Sequence, residues 1–392
     1  MLLTNKSPFP PNDGSSFAMA SMVYGFIASD WELSVFALNT RKHRKSADDV
    51  PDEVRDRFRL QLFEVDNRPT VAGAISNLLF SRQSYAVSRF FYRELAEAIQ
   101  QELREHRYDV VQVEGLSMAV YLPTIRAAFQ GSIVYRAHNI ENRIWLRAAK
   151  NESNLLKRIY VQLQAKRLKS FEKSILKEFS AIVPITHIDA EVLSSYAPGV
   201  PMRTAYTGLK IAGNAVMEMP ENADFFFVGA FDWLPNMHGV NWFIEAVWPE
   251  IKKALPQSTF HILGRHCPES ISNAEGVVVH PDRPTASAFF AEHSILLVPL
   301  QSGSGLRIKI VEALAAGRPV VSTSVGAEGI AATEAEGLFV ADEPRAFAEK
   351  AIELFRNAER RRAAGRGGRA FAEKHFDRDA IARDLTDFYG GL

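Results

Sequence analysis

The sequence predicts an α/β protein built as two doubly wound domains. A chain of 392 residues exceeds what one ordinary hydrophobic core encloses. In both halves, short apolar runs bounded by glycine or proline alternate with longer stretches of helical periodicity, the pattern of parallel sheets covered by helices. Residues 202–220 hold Gly208, Gly213 and Pro220 among mixed polar residues and read as the linker. Ligands of such sheets sit outside the carboxyl ends of the strands, which places the expected site in the cleft between domains.

Composition narrows the function classes. Hydrophobic residues at 47% and charged residues at 23% are those of a soluble globular protein. A formal net charge of +0 argues against nucleic acid as the main partner, while leaving room for a local basic face. Cys267 is the single cysteine, so no intramolecular disulfide framework exists and a reducing compartment fits. The N-terminus lacks the basic start and long apolar core of a signal peptide. No run approaches the ~18 apolar residues of a membrane-spanning helix. The expectation is a cytoplasmic chain, at most peripheral at the inner face of a membrane.

Along the first half, residues 2–4 read as a strand and 6–16 as a proline-rich loop ending near Gly14. A rigid loop after the first strand sits where substrates bind; a plain surface turn is the competing reading. Residues 17–27 have helical spacing, 31–38 read as the second strand, and the charge-rich stretch 41–59 as a solvated loop. An amphipathic helix at 90–106 precedes a strand at 110–113, whose carboxyl edge carries Glu114 and opens toward the ligand crevice. The strand at 133–135 runs into Arg136, Ala137, His138 and Asn139. A lone histidine is usually structural, but at a strand end beside Asn139 and Glu141 it becomes a candidate for chemistry. Residues 147–177 are helical and basic, with Leu155, Leu156, Ile159 and Leu163 as an apolar stripe. That pattern fits a solvated helix covering the sheet or a helix lying on an anionic membrane. A strand at 182–185 and a helix opening at 189–194 close this half.

The second half starts with a strongly apolar strand at 225–229, followed by the loop GAFDWLPNMHG. Trp233 and Trp242 read as core or domain-interface aromatics rather than sugar platforms. A helix at 240–254 is expected to break near Trp248 and Pro249. Strands at 259–263 and 276–280 run into Gly264-Arg265 and Pro281-Asp282-Arg283, and the tail at 344–388 is helical with a glycine break at 365–368.

Residues 298–329, VPLQSGSGLRIKIVEALAAGRPVVSTSVGAEG, carry the densest signal. A strand at 294–300 leads into a loop where Gly303 and Gly305 leave little but backbone. Leu306, Ile310 and Leu314 then recur at helical spacing, and Gly317 is a plausible stop. Free N–H groups just ahead of a helix form a phosphate cradle. Lys309 and Glu312 share one face near the helix start. The lysine adds to the pull on an anion, and the carboxylate can accept from two neighbouring ribose hydroxyls. Arg307 supplies a second cation. It lies ~200° around a regular helix from Lys309, so both reach one phosphate only if Arg307 still belongs to the loop. An exposed Lys–Glu pair is the plainer alternative.

This segment resembles the C-terminal domain of retaining glycosyltransferases of the two-domain GT-B type, family 4. The matching positions include Gly303, Ser304, Gly305, Arg307, Lys309, Glu312, Ala313, Gly317, Pro319, Gly326, Glu328 and Gly329. The resemblance implies an N-terminal acceptor-binding Rossmann-like domain at 1–207, completed by a C-terminal helix at about 376–392, and a nucleotide-sugar-binding domain at 208–375. It implies transfer of a sugar from a nucleotide-diphosphate donor to a saccharide or lipid-linked acceptor hydroxyl, in cell-surface polysaccharide or glycoconjugate synthesis. Glu312 would hold the ribose. Gly303, Ser304, Gly305 and Leu306 would present backbone to the diphosphate, with Arg307 and Lys309 as its cations. Gly14 would border the donor, Arg265 and Asp282 the nucleobase, and His138 the reaction centre. Glu114 and Asn139 are acceptor-side candidates, Glu114 also serving as the fallback base.

The chain departs from the family pattern in places. Ser304 stands where the family more widely has a second glutamate, Ser15 replaces the second glycine of the opening loop, and His238 replaces a lysine in the 229–239 loop. No cofactor and no metal are expected, since the two cations can take the leaving group's charge and neither a zinc motif nor an Asp-x-Asp pair is present. Other classes stay open: a nucleotide-sugar 2-epimerase of the same fold, using carboxylates such as Glu114 and Glu141, and a non-catalytic partner of another glycosyltransferase.

Overall fold

A computed structural model describes the chain except for residues 12, 42–43, 214–216, 265, 281–285 and 304, and the side chains of residues 47, 151 and 286–287. The chain forms two compact units, one of Met1–Gly208 with Arg378–Leu392 and one of Leu209–Asp377. The described residues of each unit contain one six-stranded sheet.

In the first unit the strands are β1 (Leu2–Thr4), β2 (Ser34–Thr40), β3 (Arg59–Val65), β4 (Val110–Glu114), β5 (Ser132–Ala137) and β6 (Ala181–Pro184). Their order is β3-β2-β1-β4-β5-β6, with every pair parallel. In the second unit they are β7 (Phe225–Val228), β8 (Phe260–Leu263), β9 (Val277–His280), β10 (Ile295–Val298), β11 (Val320–Ser322) and β12 (Leu338–Val340), in the order β12-β11-β10-β7-β8-β9, again parallel. Strand order reverses between β1 and β4 and between β7 and β10. The carboxyl ends of those strands are therefore the expected ligand positions. Central strands such as Phe225-Phe226-Phe227 are buried on both faces, which is why they read as unbroken apolar runs.

Several elements differ from the sequence expectation. The stretch 41–59 is not only a solvated loop: it contains a short helix, Asp52–Arg55, and ends where β3 begins. β3 pairs with β2 along its whole length, from Ser34–Arg59 to Thr40–Val65. As an edge strand carrying Arg59 and Glu64, it lacks the apolar signature of its neighbours. A further helix, Val71–Phe80, follows it. The basic segment is two helices, Glu141–Asn151 and Leu155–Ile175, the second started by the Asn154 side chain accepting from the Lys157 N–H at 3.0 Å. Only its later residues, including Ala165 and Leu168, are buried; Leu155, Leu156 and Ile159 face solvent, so this stripe does not cover the sheet.

The helix near Pro249 does not break. A π-helical turn, Phe243–Val247, joins Leu234–Trp242 to Trp248–Ala254, and the shifted register accommodates a residue without an N–H. The helix Ala358–Phe376 is also continuous through its glycines. A Cβ at Gly365 would strike the Gly317 carbonyl, and one at Gly367 the Ala335 carbonyl. These glycines serve close packing rather than termination.

The final helix, Arg378–Gly390, lies against Gly14–Ala28, where a Cβ on Gly25 would come within 2.8 Å of Ala382 Cβ. Tyr389 Oη donates to Gln112 Oε1 on β4 at 2.5 Å.

Candidate functional site

In the second unit, the loop after β10 leads to the helix Ile308–Ala315. Arg307 is the residue before that helix, with φ −85° and ψ 87°, so it belongs to the loop and can act alongside Lys309. Its guanidinium is 5% exposed, donates to the Gly305 carbonyl at 2.8 Å, and lies 5.5 Å from the Trp233 ring centre. Trp233 is thus an exposed platform for Arg307, not a core residue, whereas Trp242 packs edge-on against Phe347 in the core. Gly303 and Gly305 have φ of 124° and 86°, which favours glycine at both. At Gly303 a Cβ would also meet the Arg307 guanidinium at 2.7 Å.

Lys309 Nζ donates to Asn236 Oδ1 at 3.1 Å and sits 4.2 Å from the Phe227 ring centre. Asn236 in turn donates to the Ala230 carbonyl at 2.8 Å. Gly229, after β7, is crowded by both side chains: a Cβ there would be 2.6 Å from Asn236 Nδ2 and 2.7 Å from Lys309 Nζ. Burial, helped by Arg307 and opposed by Glu312, pushes the Lys309 ammonium down to about 7. Burial likewise raises Glu312 to about 7 against the pull of Lys309. Burial also lowers Arg307, which Glu328 partly offsets. The loop and helix start therefore gather two cations, a carboxylate and exposed backbone at the carboxyl edge of β7 and β10. Leu306 lies in the same loop. Ser304, Arg265 and Asp282 lie outside the described residues.

In the first unit, Glu114 ends β4 and His138 follows β5. His138 Nε2 meets Glu114 Oε2 at 2.5 Å, and its Nδ1 lies 3.3 Å from Ser15 Oγ. Gln112 Nε2 donates to Glu114 Oε1 at 2.5 Å. The Arg136 guanidinium, 0% exposed, is 3.7 Å from Glu114 Oε2, and among the described residues none of its nitrogens has a hydrogen-bond partner. Burial would raise the Glu114 carboxyl, but His138, Arg136 and Gln112 outweigh it and hold the group below its usual range.

Glu114, His138, Asn139, Ser15 and Glu141 line one cavity of about 300 Å³. Burial, with Glu172 adding to it, raises Glu141 to about 7. Gly14 opens the helix Gly14–Ala28 beside this cavity. That helix start is already capped by Asp13, which pairs with Lys6 at 2.6 Å. A Cβ at Gly14 would meet nothing within 4 Å, so the position is open rather than crowded.

Asn236, Gly229 and Gln112 are site residues the sequence reading did not single out, and Ser15 and Arg136 are named there without a role. Asn236 and Gly229 are defined by Lys309, far along the chain, and Gln112 by Glu114, two residues on. Only the Gly229 position carried a local signal, a glycine directly after a buried strand.

The family described as "Glycosyl transferases group 1" matches residues 222–357. An uncharacterized 44.6 kDa protein in the cps region of Klebsiella pneumoniae is 20% identical over 391 residues, covering 96% of each chain. Among solved structures, HepE of Anabaena in complex with UDP has a TM-score of 0.68 at 14% identity, over 100% of this chain and 99% of that one. Sucrose-phosphate synthase of Thermosynechococcus elongatus has 0.68 at 15%, over 100% and 98%. WaaG, a glycosyltransferase involved in lipopolysaccharide biosynthesis, has 0.63 at 16%, over 100% of both chains. At such identities the solved structures establish the fold, and the family match identifies the domain that holds Arg307, Lys309 and Glu312. The chain has the two-domain fold of these glycosyltransferase structures, and its residues 222–357 match the glycosyl transferases group 1 family.

Proposed function

We propose that this chain is a glycosyltransferase that moves a hexose, with retention of configuration, from a nucleotide-diphosphate donor to an acceptor hydroxyl in cell-surface polysaccharide or glycoconjugate synthesis. The observation that carries this reading is the Arg307–Lys309–Glu312 set beneath a glycine-rich loop in the group 1 domain. Lys309 and Arg307 take the diphosphate, and Glu312 accepts from the ribose hydroxyls. An anion beside Lys309 draws its ammonium back above pH 7, and hydrogen bonds to Glu312 favour its ionised form, so the donor itself completes the charge pattern. As the sugar–oxygen bond breaks, negative charge grows on the departing phosphate. Cations and N–H groups already aimed there lower the barrier. The two cations make a metal unnecessary in this reading.

His138 orients the transferred sugar, held by Glu114 on one ring nitrogen and Ser15 on the other. Asn139 and Glu114 serve the acceptor side. The departing phosphate oxygen receives the acceptor's proton, so no protein nucleophile is needed. HepE has been solved with UDP and UDP-glucose, which makes a uridine donor the first to try. The acceptor is a saccharide or a lipid-linked saccharide. For the latter we propose peripheral contact with an anionic membrane through the basic segment 147–177.

The test is a thermal-shift series with UDP, GDP, ADP and dTDP without added metal, on the wild type and on Glu312→Ala. One nucleotide at a hundred times its Kd should stabilise the wild type by about 2.7 kcal/mol, and the variant should lose the shift. No shift with any nucleotide removes the donor-site assignment. Transfer products from that donor, analysed for anomeric configuration by NMR, then decide retention. Conversion of the donor to an epimer without acceptor would replace transfer with epimerisation.

A further inference from the structure

We propose that His261, His280 and His293 form a site for a divalent transition-metal ion of the zinc class, separate from the donor site. Two come from different strands of the second sheet and the third from the turn ahead of another, and they share no sequence motif. His261 lies within β8 and pairs in register with Val278; His280, two residues on, ends β9 on the same face. His293 stands just ahead of β10. One ring nitrogen from each can be chosen so that all lie within 4.8 Å of one another.

The His261 and His293 rings stack with centres 4.4 Å apart, and the nitrogens of the cluster approach the spacing of a ligand set. His261 Nδ1 and His280 Nε2 are 3.1 Å apart. Two nitrogens about 2.0–2.1 Å from a tetrahedral ion sit roughly 3.3 Å from each other, so this pair is already at ligand spacing. His293 is 6% exposed. Its Nδ1 is engaged by Asp224 Oδ2 at 2.5 Å, and among the described residues its buried Nε2 has no hydrogen-bond partner. A carboxylate holding one imidazole nitrogen fixes the tautomer and turns the other lone pair outward, the arrangement that supports a metal-bound histidine. Asp224 is itself steadied by the Ser294 N–H at 2.7 Å.

Three neutral imidazoles select zinc, cobalt, nickel or copper over magnesium or calcium, with the fourth position left to water. Phe226 and Phe289, 5.8 and 4.2 Å from the His293 ring centre, shield one side. The ion would tie β8, β9 and the start of β10 together, and its ligands are none of the groups assigned to the donor.

The test uses untagged full-length protein stripped with chelator and titrated with Co²⁺, read by visible absorption, and with Zn²⁺, read by thermal shift. The expected result is one Co²⁺ per chain with the intense bands of tetrahedral cobalt, displaced by Zn²⁺, and a midpoint raised by several degrees. His261→Gln and His293→Ala should each abolish the bands, while Asp224→Asn should weaken affinity about 10–100-fold. Circular dichroism separates lost ligation from lost folding, and Asp224→Asn provides a second variant should either histidine variant fail to fold. Absence of stoichiometric uptake by the wild type, or bands that survive both folded histidine variants, would overturn the assignment.

Discussion

Lys309 has its ammonium pressed toward the Phe227 ring, tied to Asn236 and depressed to about 7 by burial. In the free enzyme that cation is present below pH 7 and lost as pH rises through 7. Because kcat/KM reports ionisations of the free enzyme, it should fall on the alkaline side from about pH 7. Lys309→Arg should carry that limb to higher pH, and Lys309→Met should lower kcat about 10²–10³-fold. A pH–rate profile unchanged by Lys309→Arg would exclude the lysine as the titrating group. The same shift bears on stability. Between about 7 and the unfolded value of 10.5 the unfolded chain binds more protons, so this group's contribution rises with pH across that window. At this scale the sequence showed Arg307, Lys309 and Glu312 together because they lie within one loop and helix turn. It could not show Asn236 or Arg136, whose roles depend on contacts the fold alone creates.

The helices Val71–Phe80 and Leu155–Ile175 present apolar side chains outward. Phe80 is 86% exposed and Leu156 78%. Arg167 joins the two, donating to the Asn77 and Leu78 carbonyls, each at 3.2 Å. Exposed leucines flanked by Lys157, Arg158 and Lys166 have the chemistry of a helix resting on anionic lipid. The wild type should cosediment with phosphatidylserine-containing vesicles and be released by high salt. The double change Leu79→Glu and Leu156→Glu should abolish binding while leaving nucleotide-induced stabilisation intact. Equal binding to neutral vesicles, or no effect of the double change, would count against membrane contact. Periodicity revealed the 155–163 stripe but not its direction, because spacing does not say whether protein or solvent covers an apolar face. The helix at 71–80 and strand β3 escaped notice for a related reason: both are partly exposed and lack the apolar contrast that marked the central strands. Glycine composition misled at 365–368, where what matters is the neighbouring backbone and not the glycines' own conformational freedom. Among the described residues no helix is long and apolar enough to cross a membrane.

The molecule repeats one topology twice, and the alternation of strands and helices was enough to announce it. What alternation leaves open is that the first unit borrows its last helix from the end of the chain. Arg378–Gly390 supplies Ala382, Leu385 and Tyr389 to the core under β1 and β4, and Tyr389 also stacks edge-on with Trp31 at 5.9 Å. Removing Arg378–Leu392 should leave Leu209–Asp377 able to bind nucleotide while the first unit loses cooperative unfolding and gains dye binding to exposed apolar surface. Urea unfolding followed by Trp31 fluorescence, beside nucleotide titration, checks this. A truncated chain whose first unit unfolds as sharply as the wild type would show the helix to be dispensable.

The same borrowing has a consequence during synthesis. The second unit is one continuous stretch and can fold as soon as Asp377 clears the ribosome, but the first lacks Ala382, Leu385 and Tyr389 of its core until the final helix emerges. At about 5–20 residues per second, the roughly 170 intervening residues leave the first core without that helix for about 10–30 seconds. The half made first is therefore the half finished last, and through that interval its apolar strands are the part of the nascent chain most in need of a chaperone.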